Sequence, residues 1–261
     1  VKELYYSGEA ARKVLGMSRD SFDHYVRTNQ IQGTIIFGKQ KRFEKNMIHM
    51  LAAKFSAAIL SAQVPAIHFE QATLETLEKE LELAERVWGE QTKQYHPHRR
   101  TLLERNPEMS YYLFDGEFLG ASINIVPISE EGVALFKQGE RGWLLGDYIE
   151  PYAPGKPLSC IIIDMMSTPL APMDRRKNYA MHLFFGLAQV LEKWGTRGIE
   201  IATVYGNGGT VQGKHLLETA GFTRISEHGQ RIIYELKVKE ADLQLLASYK
   251  EAFARWKQKG R

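Results

Sequence analysis

Leu158-Ser159-Cys160-Ile161-Ile162-Ile163-Asp164-Met165-Met166 is the most informative stretch of this 261-residue chain. A nearly continuous apolar run of this length suits a strand covered on both faces, so it predicts a buried central strand. Pro169 to Arg176 reads as a loop, and Asn178 to Trp194 as a strongly amphipathic helix. Gly195-Thr196-Arg197-Gly198 then turns into a second strand, Ile199 to Tyr205. Gly206-Asn207-Gly208-Gly209 lacks the Lys-Ser/Thr of a phosphate loop and reads as a turn. A helix from Gly213 to Thr219 and a last strand, Gln230 to Val238, follow.

Upstream of the central run the pattern is mixed. Ile67 to Ala72 reads as a strand. Thr73 caps a helix carrying Leu77, Leu81, Ala84 and Val87-Trp88 on one stripe. A second helix follows His96-Pro97-His98 and ends before Pro107. Tyr111 to Phe114 and Leu119 to Val126 form two strands around the turn Asp115-Gly116. Residues 129–157, rich in Gly, Pro and charge, read as an irregular excursion with one short strand. Downstream, Leu243, Leu245-Leu246, Tyr249, Phe253 and Trp256 recur at helical spacing. They predict a C-terminal helix within 239–261, docked on the body or on a partner subunit. The predicted fold class is therefore α+β, with domains at 1–65 and 66–238 followed by that helix.

The formal net charge of +3 conceals an asymmetry. Residues 1–65 hold ten Lys/Arg against five Asp/Glu, a net +5, and the remaining 24 cations and 26 acids leave −2. A basic segment on a mildly acidic body suggests a polyanion-binding arm, with chance clustering as the alternative. The local pattern agrees with an arm. Ser7 caps a helix that ends at Gly16, and Ser18 caps a second, Arg19 to Thr28, with Phe22, Tyr25 and Val26 on one face. Ile31 to Phe43 reads as a hairpin around Gly38-Lys39-Gln40. Asn46 starts a third helix through Met47, Met50, Leu51 and Phe55, and a linker near Pro65 closes the segment.

Tyr6-Ser7-Gly8-Glu9-Ala10-Ala11, Leu15-Gly16-Met17-Ser18 and Gly38-Lys39-Gln40-Lys41-Arg42-Phe43 occur in the order of a winged helix-turn-helix. Over about the first 55 residues the chain resembles the MerR/excisionase group. The resemblance implies double-stranded DNA as partner and a second helix lying in the major groove. Ser18, Arg19, Asp20, Ser21, His24 and Tyr25 would then face the bases, with Arg19 suited to guanine. Lys39, Gln40, Lys41 and Arg42 would hold the backbone or minor groove from the wing. One reading head per chain also implies a homodimer. The competing reading is a small protein-interaction domain with a solvated charged face.

Leu216-Leu217-Glu218-Thr219-Ala220-Gly221-Phe222, the segment Cys160 to Trp194, and the opening Ala72 to Gly89 together resemble the GNAT N-acetyltransferase superfamily over about residues 66–238. The resemblance implies acetyl-CoA or a related ligand, its pyrophosphate held by backbone N–H groups at a helix start. The family pattern Gln/Arg-x-x-Gly-x-Gly/Ala falls on Arg175-Arg176-Lys177-Asn178-Tyr179-Ala180, with Asn178 at the central glycine. A plain basic helix start is the alternative. The tyrosine that family members use to reprotonate the thiolate corresponds to Leu217, and Tyr205 or Tyr179 are the available substitutes. For a general base the candidates are Asp164, an acid set within an apolar run, and Glu150 in the excursion. Asp164 could equally be a hydrogen-bonded structural acid.

Other features exclude more than they assign. No stretch approaches the ~18 uninterrupted apolar residues of a membrane helix. The start Val1-Lys2-Glu3-Leu4 has no apolar signal core, and the single cysteine, Cys160, permits no internal disulfide. These point to a cytoplasmic protein with no membrane partner. Cys160 reads as a buried apolar side chain, and His96-Pro97-His98 as a loop rather than a metal site. The leading expectation is a DNA-binding transcriptional regulator whose second domain senses or uses an acyl-CoA or a related small-molecule ligand. The alternatives are an N-acetyltransferase targeted through its DNA-binding domain and an excisionase-like accessory factor of a mobile element.

Overall fold

The computed structural model describes residues 4–28, 31–37, 40–52 and 67–259, without the side chains of residues 34–40. The chain divides into two compact units, Val1–Pro65 and Ala66–Arg261.

In the first unit, strand β1 (Tyr5–Ser7) leads into helix α1 (Gly8–Leu15) and helix α2 (Arg19–Arg27). Ser7 accepts from the Ala10 N–H and Ser18 from the Ser21 N–H, so each helix starts on a hydroxyl cap. Gly16 ends α1 at φ 65°, a left-handed conformation that glycine adopts without strain. Strands β2 (Thr34–Phe37) and β3 (Gln40–Glu44) form the hairpin, and helix α3 occupies 45–52. The sequence reading missed β1, a three-residue strand that pairs antiparallel with β3 and makes the sheet three-stranded. Ala11, Leu15, Phe22, Ile31, Phe43 and Ile48 form the core. The hairpin tip at Gly38-Lys39, Phe55 and the linker of residues 60–66 lie outside the described residues.

The second unit is an α+β layer structure on a seven-stranded sheet. Its strands are β4 (Ile67–Gln71), β5 (Ser110–Asp115), β6 (Phe118–Ile128), β7 (Pro157–Ser167), β8 (Glu200–Gly208), β9 (Thr223–His228) and β10 (Arg231–Lys237). Their spatial order is β4-β5-β6-β7-β8-β10-β9, with β7 and β8 parallel and every other pair antiparallel. The quoted apolar run is β7, fourth of seven. Helices α4 (Leu77–Trp88), α5 (His96–Arg105) and α6 (Glu130–Lys137) cover one face through Leu81, Leu102, Phe136 and neighbours. Helices α7 (Met173–Thr196) and α9 (Ala247–Lys259) cover the other. Helix α8 (Val211–Thr219) packs on the end of β8. The C-terminal helix docks within this unit: the Tyr249 hydroxyl donates to the Ile199 carbonyl and accepts from the Ile201 N–H.

Five local expectations need correction. Thr73 does not cap α4. It forms a hydrogen-bonded turn with Thr76, and the helix begins at Leu77. The excursion contains α6, started by the Ser129 hydroxyl accepting from Gly132. Helix α7 begins at Met173 rather than Asn178. Gly206 and Gly208 belong to β8 and not to a turn, and α8 lies so close to Gly206 that a Cβ there would stand 2.8 Å from Leu217. Polar β9, absent from the sequence reading, completes the sheet edge.

Candidate ligand site at the parted strands

The parallel pair β7 and β8 is joined by α7 and pairs from Pro157↔Glu200 to Ile161↔Tyr205, with one register shift. Pairing stops there, although β7 runs on to Ser167 and β8 to Gly208. Beyond that point β7 pairs only with β6, and β8 only with β10. Irregularities flank the parting: β6 steps from Asn124 to Ile125 while β7 steps from Asp164 to Ile162, and between Leu158 and Ser159 β8 skips Ala202. Such bulges bend a strand and increase its twist. The result is a wedge in the middle of the sheet, open toward the carboxyl ends of its two parallel strands, where ligands of open α/β sheets bind. Ile162, Ile163, Asp164 and Met165 are only half-buried despite their central strand.

Strand β7 leads, past Ser167, into the start of α7. Three N–H groups there, of Met173, Asp174 and Arg175, have no partner inside the helix; the Arg176 N–H already donates to the Pro172 carbonyl. The sequence reading set the pyrophosphate site across Arg175 to Ala180, at a helix start near Asn178. They are instead inside the first two turns, so Lys177, Asn178, Tyr179 and Ala180 spend their N–H groups on the helix. Arg175 donates to Asp115 Oδ2 from Nε at 2.9 Å and from Nη2 at 2.5 Å. The Tyr179 hydroxyl donates to the same oxygen at 2.7 Å. Burial alone would raise the Asp115 carboxyl, but these hydrogen bonds hold it below the usual carboxylate range. Arg175 and Tyr179 thus tie α7 to the end of β5. Half-buried Arg176 and exposed Lys177 are the remaining cations of the motif.

Asp164 belongs to a buried network on the face covered by α4 and α5. Arg99 Nη2 donates to Asp164 Oδ2 at 3.1 Å, and Asn124 Nδ2 to Asp164 Oδ1 at 2.7 Å. Arg99 also pairs with Glu80, and Ser110 bonds Asn124. The Trp143 ring lies 3.8 Å from the guanidinium carbon and covers it. Burial outweighs Arg99 and, with the Asp164 charge, pushes Glu80 up to about 7. The sequence reading missed Glu80, Arg99 and Asn124. Glu80 had a signal: it falls three residues after Leu77 and four before Ala84, an acid on an apolar stripe.

Tyr205 stands at the last β7–β8 pair, the base of the wedge, on the same sheet face. Its hydroxyl is pushed up to about 12 by burial, reinforced by Glu235, and Lys137 Nζ lies 4.8 Å from its ring. Tyr179 is on the opposite face, so the two candidate tyrosines are separated by the sheet. Glu150 is paired with Lys156 at 2.6 Å. Leu217 is buried against Ile232 and Tyr234. Cys160 is fully buried. Among the described residues no group of three or more His, Cys, Asp or Glu could hold a metal ion, and no helix is long and apolar enough to cross a membrane.

In the first unit, Arg19, Asp20 and His24 of α2 are exposed, and Ser18 and Ser21 bond each other at its cap. Arg19 lies 4.0 Å from Asp23, in an exposed pair that holds neither side chain firmly. Tyr25 packs partly against the core. Lys41 is exposed and Arg42 half-buried on β3. Lys39 and the Gln40 side chain lie outside the described residues.

No family model matches the chain, and no curated protein does. Solved structures similar to it include an aminoglycoside N(6')acetyltransferase from Legionella pneumophila, with a TM-score of 0.41 and 12% identity over 67% of this chain and 94% of that one. A GNAT-family acetyltransferase from Bacillus cereus has a TM-score of 0.38 and 10% identity over 66% and 96%. Naa50 from Arabidopsis thaliana, in complex with the bisubstrate analogue CoA-Ac-MVNAL, has a TM-score of 0.37 and 7% identity over 66% and 99%.

Proposed function

We propose that this chain is a DNA-binding regulator whose second unit takes an acyl-CoA or related ligand in the wedge between β7 and β8. The observation that carries the reading is the parting of the two parallel strands beyond Ile161 and Tyr205. It leaves backbone groups on a central strand free to bond a ligand's amide-bearing arm. The three free N–H groups at the α7 start, with Arg176 and Lys177 beside them, suit the ligand's pyrophosphate. The GNAT-like order of elements agrees. A ligand-sensing role is favoured over turnover because Asp164 is held by Arg99 and Asn124, and because Leu217 has no proton to give.

Turnover remains the second reading, on one specific observation. Tyr205 stands at the base of the wedge, on the sheet face of Asp164, and its phenol is the proton donor turnover would use. Incubation with acetyl-CoA and a panel of amines decides between them: binding without thiol release supports sensing, and release abolished by Tyr205→Phe supports catalysis.

For the first unit, the exposed α2 start and Lys41 on the hairpin support DNA binding. Arg19→Ala and Lys41→Ala should each weaken binding to duplex fragments, and wild-type affinity should fall steeply with salt. Unchanged binding by both variants at moderate salt would refute this part.

A further inference from the structure

The sheet has a second irregularity, away from the wedge. Strand β5 begins at Ser110, opposite Asn124, while β6 continues to Ile128 without it. Tyr152 fills part of this notch, its hydroxyl donating to the Ile125 carbonyl at 2.9 Å. Beside it lies an open cavity of about 410 Å³ walled by the C-terminal ends of α5 and α7. That volume is within the range of small-molecule sites, roughly 300–1,000 Å³. The last turn of α7, with Lys193, lines this cavity.

The wall carries three cations, Arg105, Lys193 and Arg197, and one acid, Glu108. The acid is already committed. Glu108 Oε2 accepts from Arg197 at 2.5 Å and from the Trp194 indole at 3.0 Å. Burial opposes ionisation of Glu108, but these bonds hold it below the usual carboxylate range, so it stays charged and satisfied by Arg197. Arg105 and Lys193 remain. Arg105 donates to the Gly146 carbonyl and pairs with Asp147, whose side chain is 87% exposed, so water screens that pair. The Lys193 side chain makes no hydrogen bond or ion pair among the described residues, and its charge helps hold the Glu108 carboxylate down. Partial negative charge at the two helix ends favours a cation at each. It does not account for a cavity wall in which three cations face one acid. The rest of the wall includes Pro107, Pro151 and Tyr152, whose ring stacks on Trp194 at 3.9 Å between centroids.

We infer that this cavity binds a small organic anion, its carboxylate or phosphate between Arg105 and Lys193 and its apolar body against the two prolines and Tyr152. This is a second site, independent of whatever occupies the wedge.

Calorimetric titration of the full chain with benzoate and, separately, with inorganic phosphate tests it at fixed ionic strength. At least one anion should bind saturably. Lys193→Ala and Arg105→Ala should each weaken that binding by about tenfold. Lys193→Arg should largely restore it, and Arg224→Ala on exposed β9 should leave it unchanged. Benzoate alone binding assigns a carboxylate on a flat body; phosphate alone assigns a phosphoryl head. No saturable binding of either anion, or binding that survives Lys193→Ala undiminished, overturns the inference.

Discussion

The two faces of the seven-stranded sheet are held by different physics. Under α7 and α9 the contacts are apolar and aromatic: Trp194 is fully buried, stacks on Tyr152, and bonds its indole N–H to Glu108. Under α4 and α5, Asn124 and Asp164 of the sheet contact Glu80 of α4 and Arg99 of α5. An apolar face tolerates the gradual loss of a contact, whereas a buried ion network fails when one member is removed. The acid that looked most catalytic in the sequence lies on the second kind of face, where its partners hold it in place.

The largest effect should come from breaking that network unevenly. Arg99→Met leaves two buried carboxylates without their cation and should cost about 3–5 kcal/mol in urea unfolding. Adding Glu80→Leu and Asp164→Asn should recover most of the loss. If the single variant proves as stable as wild type, the two faces do not differ as described. A smaller loss, about 1–2 kcal/mol, is expected from Trp194→Phe, which keeps the aromatic packing and deletes one indole hydrogen bond.

Proton linkage sharpens the contrast further. Glu80 is raised from its usual 4.5 to about 7 in the folded chain. Across that window the folded state holds a proton that the unfolded state has released. Stability from this group therefore falls as pH rises from about 4.5 to about 7 and is level above that. Relative to Glu80→Gln, the wild type should lose stability between pH 5 and 7.5, on the order of 2 kcal/mol. A pH-independent difference between the two would place Glu80 at an ordinary carboxylate value. The smallest effect belongs to Asp115, held below its usual range against burial by Tyr179 and Arg175. Its contribution is present above the unfolded value and is lost as pH falls. Asp115→Asn should cost about 1 kcal/mol at neutral pH and less in acid.

Strong periodicity made much of the fold legible. The run Leu158 to Met166 lies within β7, and the stripe Leu77-Leu81-Ala84 lies on α4. What escaped had weak or conflicting local signals. Helix α6 opens Glu130-Glu131-Gly132, which reads as a charged loop until Ser129 is seen capping it. The first turn of α7, Met173-Asp174-Arg175-Arg176, shows no apolar period and follows Pro169 and Pro172. Strand β9 is an exposed edge, so it needs no apolar alternation. The parting of β7 from β8 is a matter of register, which no residue in either strand announces. The network around Asp164 draws on α4, α5, β5, β6 and β7, and only Glu80 stands out of pattern locally.

The central claim is that a ligand of the acyl-CoA class lies between the parted strands. Backbone amide exchange, followed with and without saturating acetyl-CoA, tests it most directly. The account predicts slowed exchange at Ile163 to Ser167 of β7, at Asn207 and Gly208 of β8, and at Met173 to Arg175 of α7, with Pro157 to Ile161 unchanged. No protection in any of these segments at saturating acetyl-CoA would contradict it.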